Sequence, residues 1–466
     1  MRILIAIAPA LALAACAVAP EYRPAPLPVA ATGPFLTRTD AVVTAPADPR
    51  WWRLYNDPAL NALVAQALAA NADIRVAVAR LERARASLNA VRSDRLPQAT
   101  LGAGVNYGQS SAVVQVPGTN RQDLRTDTGL DVAYEVDLFA RVKRGVEAAH
   151  GDVAAAQADV DAVRVSVAAE TTRAYAAAAS AAERLAVAEH IVSLLDRSAL
   201  LTGKRADAGL TTSLDTARIT ALRDQRRAEI PTLQAERQAA LFRLATLAGR
   251  APADLPAIGA ARATTLRLDQ PIPVGDGAQL LARRPDVAAA ERRLVAATAR
   301  IGVATAELYP HISLGASVGS TSIGAGDLFS AGSLRWLLGP LISWSFPNQA
   351  RARAQIAGAQ ADTRAALAAF DGAVLTALGE TETALSNYSR LLERRIALKS
   401  ARDQADKAVQ ITRAQRREGL INSLDALDAE RTFAEVEAQV ALADARIADA
   451  QVDVFKALGG RWQATD

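Results

Sequence analysis

Gly129-Leu130-Asp131-Val132-Ala133-Tyr134-Glu135-Val136-Asp137-Leu138 changes from small or polar to apolar at every step. A period of two is that of a strand whose faces meet different media. Three more stretches repeat the pattern. Leu101, Ala103, Val105 and Tyr107 alternate with Gly102, Gly104, Asn106 and Gly108. Ile312, Leu314, Ala316 and Val318 alternate with Ser313, Gly315, Ser317 and Gly319, and the last set is Leu334, Trp336, Leu338, Pro340, Ile342, Trp344 and Phe346. Strands are therefore expected near 99–109, 126–138, 311–319 and 334–346. Alternation over about ten residues, with lipid on one side and water on the other, marks a membrane β-strand. Tyr107, Tyr134, Trp336, Trp344 and Phe346 fall on the apolar face, where an interfacial girdle belongs. Asp131, Glu135 and Asp137 fall on the opposite face and would make a lumen acidic. A hairpin covering a soluble core would need an apolar partner layer, and none remains in the sequence.

Outside these stretches the chain is built for helices. Alanine dominates the 50% of residues that are apolar, and aromatics are only 4%. Small side chains suit long helices packed closely, not a large globular core. Residues 58–95 and 278–307 read as helices stopped by Pro97 and Pro310. Residues 141 to about 203 and 349 to about 417 carry no proline, and each is followed by a returning helix, 212–248 and 421–458. Some 60 helical residues would extend ~90 Å, so these segments must form a coiled bundle or the wall of a tube. Pro231 predicts a kink in the first return helix.

The two halves repeat. A shift of 213 residues carries Asp73-Ile74 onto Asp286-Val287, Arg80-Leu81 onto Arg293-Leu294 and Pro97 onto Pro310. A shift of 210 carries Gly209-Leu210 and Ser213-Leu214-Asp215 onto Gly419-Leu420 and Ser423-Leu424-Asp425. The expected organisation is two tandem repeats, 51–256 and 257–466, each pairing two strands with long antiparallel helices. Four strands cannot close a barrel, and an open edge in lipid leaves backbone groups unpaired at several kcal/mol each. Three copies would give a twelve-stranded barrel with a water-filled lumen.

The N-terminus reads as a signal peptide over 1–15, with Arg2 before the short apolar run Ile3 to Leu13. Leu13-Ala14-Ala15-Cys16 resembles a lipobox, which implies that Cys16 carries a lipid. Ala17 in the place of an aspartate favours the outer membrane. Seven prolines between 17 and 50 predict an extended tether over 16–50, with folded structure beginning near Trp51-Trp52. Cys16 is the single cysteine, so no internal disulfide and no cysteine metal site can form. His150, His190 and His311 lack ligand spacing, and no phosphate-cradling glycine loop or Gly-x-Ser-x-Gly elbow occurs. The 53 basic and 49 acidic residues are interspersed, which speaks against nucleic-acid binding. No metal, no cofactor other than the Cys16 lipid and no enzymatic activity are expected.

Trp51-Trp52 to Asp57-Pro58, Asp137-Leu138-Phe139-Ala140-Arg141, Arg283-Arg284-Pro285-Asp286-Val287 and Gly419 to Arg431, in that order, resemble the TolC/OprM-type outer-membrane factors, in the NodT-like lipoprotein branch. The resemblance implies a homotrimer in the outer membrane with a large periplasmic helical tube. It also implies a periplasmic adaptor and an inner-membrane pump of the RND type, exporting drugs or other small molecules. Leu424, Asp428 and Arg431 match the family's gate positions, and Asp425 adds a carboxylate one turn away. Positions i, i+4 and i+7 share one helix face. Without the resemblance they read as an ordinary solvated face. Gly209, Leu210, Gly419 and Leu420 resemble the hairpin tips that meet the adaptor, where glycine also serves as a helix cap. At the gate the halves differ: Asp428 and Arg431 align with Arg218 and Ala221. The rival readings are a protein-secretion conduit of the same architecture, and a periplasmic coiled-coil scaffold lipoprotein, which would leave the four strands unexplained.

Overall fold

The computed structural model describes residues 20–460, apart from 27, 38, 112, 114–119, 255–261, 269, 325, 419 and 422. Described helices are α1 (Pro58–Ala70), α2 (Ala72–Ser93), α3 (Arg141–Asp207), α4 (Ser213–Arg227), α5 (Glu229–Leu247), α6 (Gly277–Arg283), α7 (Pro285–Ala306), α8 (Ala350–Arg417) and α9 (Ser423–Leu458). The long strands are β1 (Gln98–Gln109), β2 (Gln122–Glu135), β3 (His311–Ile323) and β4 (Leu334–Ser343). The chain divides into a strand-bearing unit, built mainly from Arg80–Gln157 and Ala289–Asp371, and a helical unit of Pro26–Ala79, Ala158–Ala288 and Gly372–Asp466.

In the strand-bearing unit the four strands form one antiparallel sheet in the order β1-β2-β3-β4. Directly opposed residues share a face. Leu101, Leu130, Val318 and Trp336 form one cross-strand row, and Ala99, Val132, Ala316 and Leu338 form the next. Tyr134, Leu314 and Pro340 follow on the same face. The opposite face carries Gly102, Gly129, Gly319 and Arg335 in one row and Thr100, Asp131, Ser317 and Leu337 in another.

The strands end earlier than the alternation does. β2 stops at Glu135, so Val136, Asp137 and Leu138 lie outside it. The Asp137 carboxylate accepts the Val142 and Lys143 backbone N–H groups at 3.0 and 2.7 Å, capping the start of α3. Ala140 turns the chain with φ +60, and Phe139 stacks on Tyr309 at 4.5 Å. Asp137 is thus a helix cap beyond the end of the strand that carries Asp131 and Glu135. β4 stops at Ser343; Trp344 and Phe346 follow it and stack on each other at 4.9 Å, and the Trp344 indole N–H donates to the Leu308 carbonyl. In the same unit α3 and α7 touch at Gly151, where an added Cβ would stand 2.9 Å from the Ala296 Cβ.

The helical unit holds the largest apolar cluster. Trp51 stacks on Phe455 at 4.6 Å and meets Trp52 edge-on at 6.0 Å. Leu60, Leu63 and Val64 of α1 join Tyr175 and the alanines 168, 169, 174, 176 and 178 of α3. Each large apolar side chain buried here contributes ~1.5–3 kcal/mol. Asp57 caps α1 through the Ala59 and Leu60 N–H groups while Pro58 occupies its first position.

The helices expected over 58–95 and 278–307 are each broken, at Asn71 and at Arg284. These positions are 213 residues apart, so the break belongs to the repeat. Asn71 accepts the Asp73 and Ile74 N–H groups and starts a new helix. Pro285 opens α7, and Arg284 bonds Asp286 twice, at 2.9 and 2.7 Å, and Glu380 at 2.7 Å. Arg284 also donates to the Ala457 carbonyl and Arg283 to the Leu458 carbonyl, so two guanidinium groups stabilise the C-terminal end of α9. Burial lowers the Arg283 pKa to about 10, against the opposing charge of Asp276. The interruption near Pro231 falls at Ala228, three residues earlier, because proline is tolerated in the first turn of α5.

Residues 20–50 are more than a tether. Ala31 and Phe35 are buried, and Val42–Val43 pairs in parallel with Ile272–Pro273. The Glu382 carboxylate accepts the Leu36 and Thr37 N–H groups and the Thr37 hydroxyl. The prolines leave only a short 3-10 turn at Val29–Ala31, and the apolar residues between them are what seat the strap. Cys16 lies outside the described residues.

Candidate functional site

The gate candidates lie at the start of α9, which follows the second hairpin turn. Both turns close the same way. Leu210 N–H donates to the Arg205 carbonyl at 2.8 Å, and Leu420 N–H donates to the Gln415 carbonyl at 2.9 Å. These are the six-to-one bonds of a glycine-ended helix. Gly209 has φ +72, and an added Cβ there would meet nothing within 4 Å, so the glycine serves conformation and not close packing. Gly419 lies outside the described residues. Leu210 and Leu420, at equivalent positions of the two halves, are both largely exposed. Thr212 and Asp215 form a capping box at α4. The Thr211 and Thr212 hydroxyls and the Thr212 N–H hold the Asp215 carboxyl below its ordinary range.

On α9, Asp425 and Asp428 are exposed, while Ala426 and Glu430 turn inward. Arg431 donates to Asp428 at 2.8 Å, one turn apart, with both side chains more than half exposed. The Leu424 side chain lies outside the described residues. The charge that sequence reasoning missed is Glu430. Its carboxylate is 5% exposed and accepts the Ser198 hydroxyl at 3.0 Å and the Arg413 guanidinium at 3.2 Å. It therefore ties α9 to α3 and α8. Beside it Ile191 and Leu195 of α3, Ile219 and Leu222 of α4 and Ala434 of α9 form one apolar cluster. The first half has Thr220 and Gly203 where the second has Glu430 and Arg413. That difference was the available signal, and a glutamate 17 residues from the arginine it pairs with makes no local pattern.

Two turns beyond Glu430 along α9, Glu437 has its carboxyl pKa raised by burial, although Arg402 approaches it to 3.8 Å. In the apolar core, burial opposes ionisation of Asp57. Its contacts with Leu60 N–H, Tyr175 hydroxyl, Arg262 and Ala59 N–H prevail and lower its pKa. The same burial and contact push the Tyr175 hydroxyl up to about 12.

On the sheet, the apolar row residues are exposed: Leu101, Val105, Tyr107, Leu130, Tyr134, Leu314, Val318, Leu334, Trp336, Leu338 and Ile342. Tyr107 and Tyr134 on β1 and β2 and Trp336 on β4 share this face by register. On the other face Asp131 is exposed, whereas Glu135 is bound by Arg141 at 2.5 and 2.9 Å. Among the described residues, no single helix is long and apolar enough to cross a membrane, and no group of acidic, histidine or cysteine residues has metal-site geometry.

A sheet with one apolar exposed face, joined to two repeated helical hairpins, is an arrangement shared with known proteins. The sequence model of the outer membrane efflux protein family matches residues 63–250 and again 277–460. The chain belongs to the outer membrane efflux protein family. It is 32% identical over 459 residues to the outer membrane protein OprJ of Pseudomonas aeruginosa, covering 97% of this chain and 94% of that one. It is 29% identical to nodulation protein T of Rhizobium leguminosarum bv. trifolii, covering 93% and 92%. Among solved structures, the outer-membrane channel OprN superposes with a TM-score of 0.88 at 36% identity, over 96% of this chain and 99% of that one. The open-state MtrE channel of Neisseria gonorrhoeae gives 0.82 at 28% identity, over 96% and 98%. The protein is thus an outer-membrane efflux protein with the family's fold, in which helical hairpins form a tube and strands contribute to a barrel.

Proposed function

We propose that three copies of this chain close one twelve-stranded barrel and form the passive exit duct of a tripartite pump. A periplasmic adaptor would meet the hairpin tips at Gly209-Leu210 and Gly419-Leu420. An inner-membrane transporter of the RND type would deliver drugs or other small molecules. The duct carries out no catalysis and needs no cofactor; the lipid on Cys16 anchors it. The observation that carries this reading is the four-stranded sheet. One face is apolar and exposed, and β1 and β4 each have a partner on one side only. In hydrocarbon those edges must pair with further strands. Three-fold symmetry would set three α9 helices around one axis, with Leu424 as an apolar plug and Asp428 as a carboxylate ring beside Arg431 and Asp425. Names of relatives support the substrate class: the Pseudomonas putida protein ArpC, 28% identical, is described as an antibiotic efflux pump outer membrane protein. The test is a deletion strain challenged with a drug panel. Hypersensitivity reversed by the intact gene is expected. Unchanged tolerance with loss of one secreted protein would instead identify a protein-secretion conduit.

A further inference from the structure

We propose that Arg335 is a selectivity-setting cation of the channel wall, laid flat across a row of glycines so that it presents charge without narrowing the lumen. The inference rests on the barrel reading above, which makes the non-lipid face of the sheet the lumen face.

Register places Gly102, Gly129, Gly319 and Arg335 in one row across β1, β2, β3 and β4. Adjacent strands lie ~4.8 Å apart, so reaching the second strand away requires an extended side chain with nothing in its path. The Arg335 side chain does this. Its guanidinium stands 3.3 Å from where a Cβ on Gly319 would lie, and one terminal nitrogen stands 3.2 Å from that of Gly129. A side chain at either position would lift the guanidinium off the sheet. A hydrogen-bonded relay fixes its direction: Arg335 Nε donates to the Thr321 hydroxyl at 3.2 Å, and that hydroxyl donates to Asp127 Oδ1 at 2.6 Å. Thr321 and Asp127 oppose each other on the adjoining row of the same face. Arg335 is therefore seated by two strands other than its own, yet remains exposed.

The same face carries Asp123, Asp127, Asp131 and Glu135 on β2, with Arg125 beside Asp127 at 3.8 Å. Arg335 is the one basic residue of β4, the strand that supplies Leu337 and Leu341 to that face. Three copies would repeat this cation around the pore close to the loop-bearing ends of the strands. It would oppose cation entry into an otherwise acidic lumen. Passage would then depend on the charge of the exported molecule at this level as well as at the gate.

The test uses full-length protein in planar bilayers, in a background carrying Asp428→Ala and Arg431→Ala so that the gate does not dominate the current. Reversal potentials are read in a potassium chloride gradient. In ~0.1 M salt, where the Debye length is ~10 Å, Arg335→Ala should raise the cation-to-chloride permeability ratio about twofold. In ~1 M salt, where it is ~3 Å, the difference should shrink. Gly129→Val keeps the charge but lifts it, and should lower conductance. Should that variant fail to assemble, Thr321→Val cuts the tether without adding bulk and should shift the ratio without loss of trimer. Pores whose ratio and conductance ignore all three variants overturn the proposal and leave the barrel reading standing. A separate outcome sinks the barrel reading itself: labelling by a charged thiol reagent at Trp336→Cys but not at Arg335→Cys.

Discussion

Replacing Arg413 with methionine keeps most of the side-chain stem and removes the guanidinium from Glu430. The carboxylate would then retain the Ser198 hydroxyl as its partner, at 5% exposure. Leaving a buried charged acceptor short of a donor costs ~1.5–3 kcal/mol. Because the Arg413 side chain is itself 40% exposed, the lower part of that range applies. A loss of ~1.5–2 kcal/mol corresponds to a ~10–30-fold shift toward α9 released from α3 and α8. The Arg431–Asp428 pair is an exposed i, i+3 contact, and within one chain such pairs contribute ~0.3–0.5 kcal/mol, about twofold. Amide hydrogen exchange over residues 425–435, in protein held in lipid nanodiscs, reads the difference directly. Arg413→Met should speed exchange about tenfold, and Arg431→Met about twofold. Adding Glu430→Met to Arg413→Met should recover most of the loss, since the stranded charge is gone. Exchange in Arg413→Met no faster than in Arg431→Met, or a double variant no slower than the single, refutes the idea that the buried link holds the start of α9.

Gly209→Ala places an L-residue at φ +72 with no steric neighbour, so it should cost only ~1–2 kcal/mol at the turn; trimers should survive on gels while drug tolerance in cells falls. Asp57 has a folded-state pKa below its unfolded value of ~3.9. Its stabilisation is complete above ~3.9 and is lost as pH falls through the lowered value. Thermal midpoints of Asp57→Asn should therefore lie below wild type at pH 7 and converge with it once pH has fallen below the lowered value. Glu437 has the opposite sign: burial raises its pKa, so charging it destabilises the fold as pH climbs above its unfolded value of ~4.3. Glu437→Gln should raise the thermal midpoint at pH 7.5 and leave it unchanged at pH 4; a lower midpoint at pH 7.5 would contradict the burial argument.

Period-two alternation made the four strands legible, because lipid and water select side chains at opposite positions. Register was not legible: nothing in sequence spacing places Arg335 beside Gly319 and Gly129. The strand ends were overrun because Asp137 looks like one more alternating residue until its carboxylate is seen capping α3. The helix break at Asn71 escaped notice because asparagine is not a strong breaker, whereas Pro285 and Asp286, which suit the first turn of a helix, signal the one at Arg284. Each ends its helix by bonding across the fold, Asn71 to the Leu247 carbonyl and Arg284 to the Ala457 carbonyl. The proline count between 17 and 50 concealed Phe35 and Val42, whose burial is a tertiary property. Glu430 was equally hidden, since a buried acid and a solvated one are spelled alike.

The central claim is that β1 of one copy completes a barrel with β4 of another. Cys16 is the single native cysteine, so introduced pairs report without internal competition. Ala103→Cys on β1 is combined in turn with Leu334→Cys, Trp336→Cys, Leu338→Cys and Ile342→Cys on β4, and outer membranes are oxidised. A disulfide requires Cα atoms ~5.5 Å apart, so one register should yield a covalent ring of three chains, and bilayers containing that species should conduct. Membranes in which no pair joins one chain to the next would contradict the shared barrel.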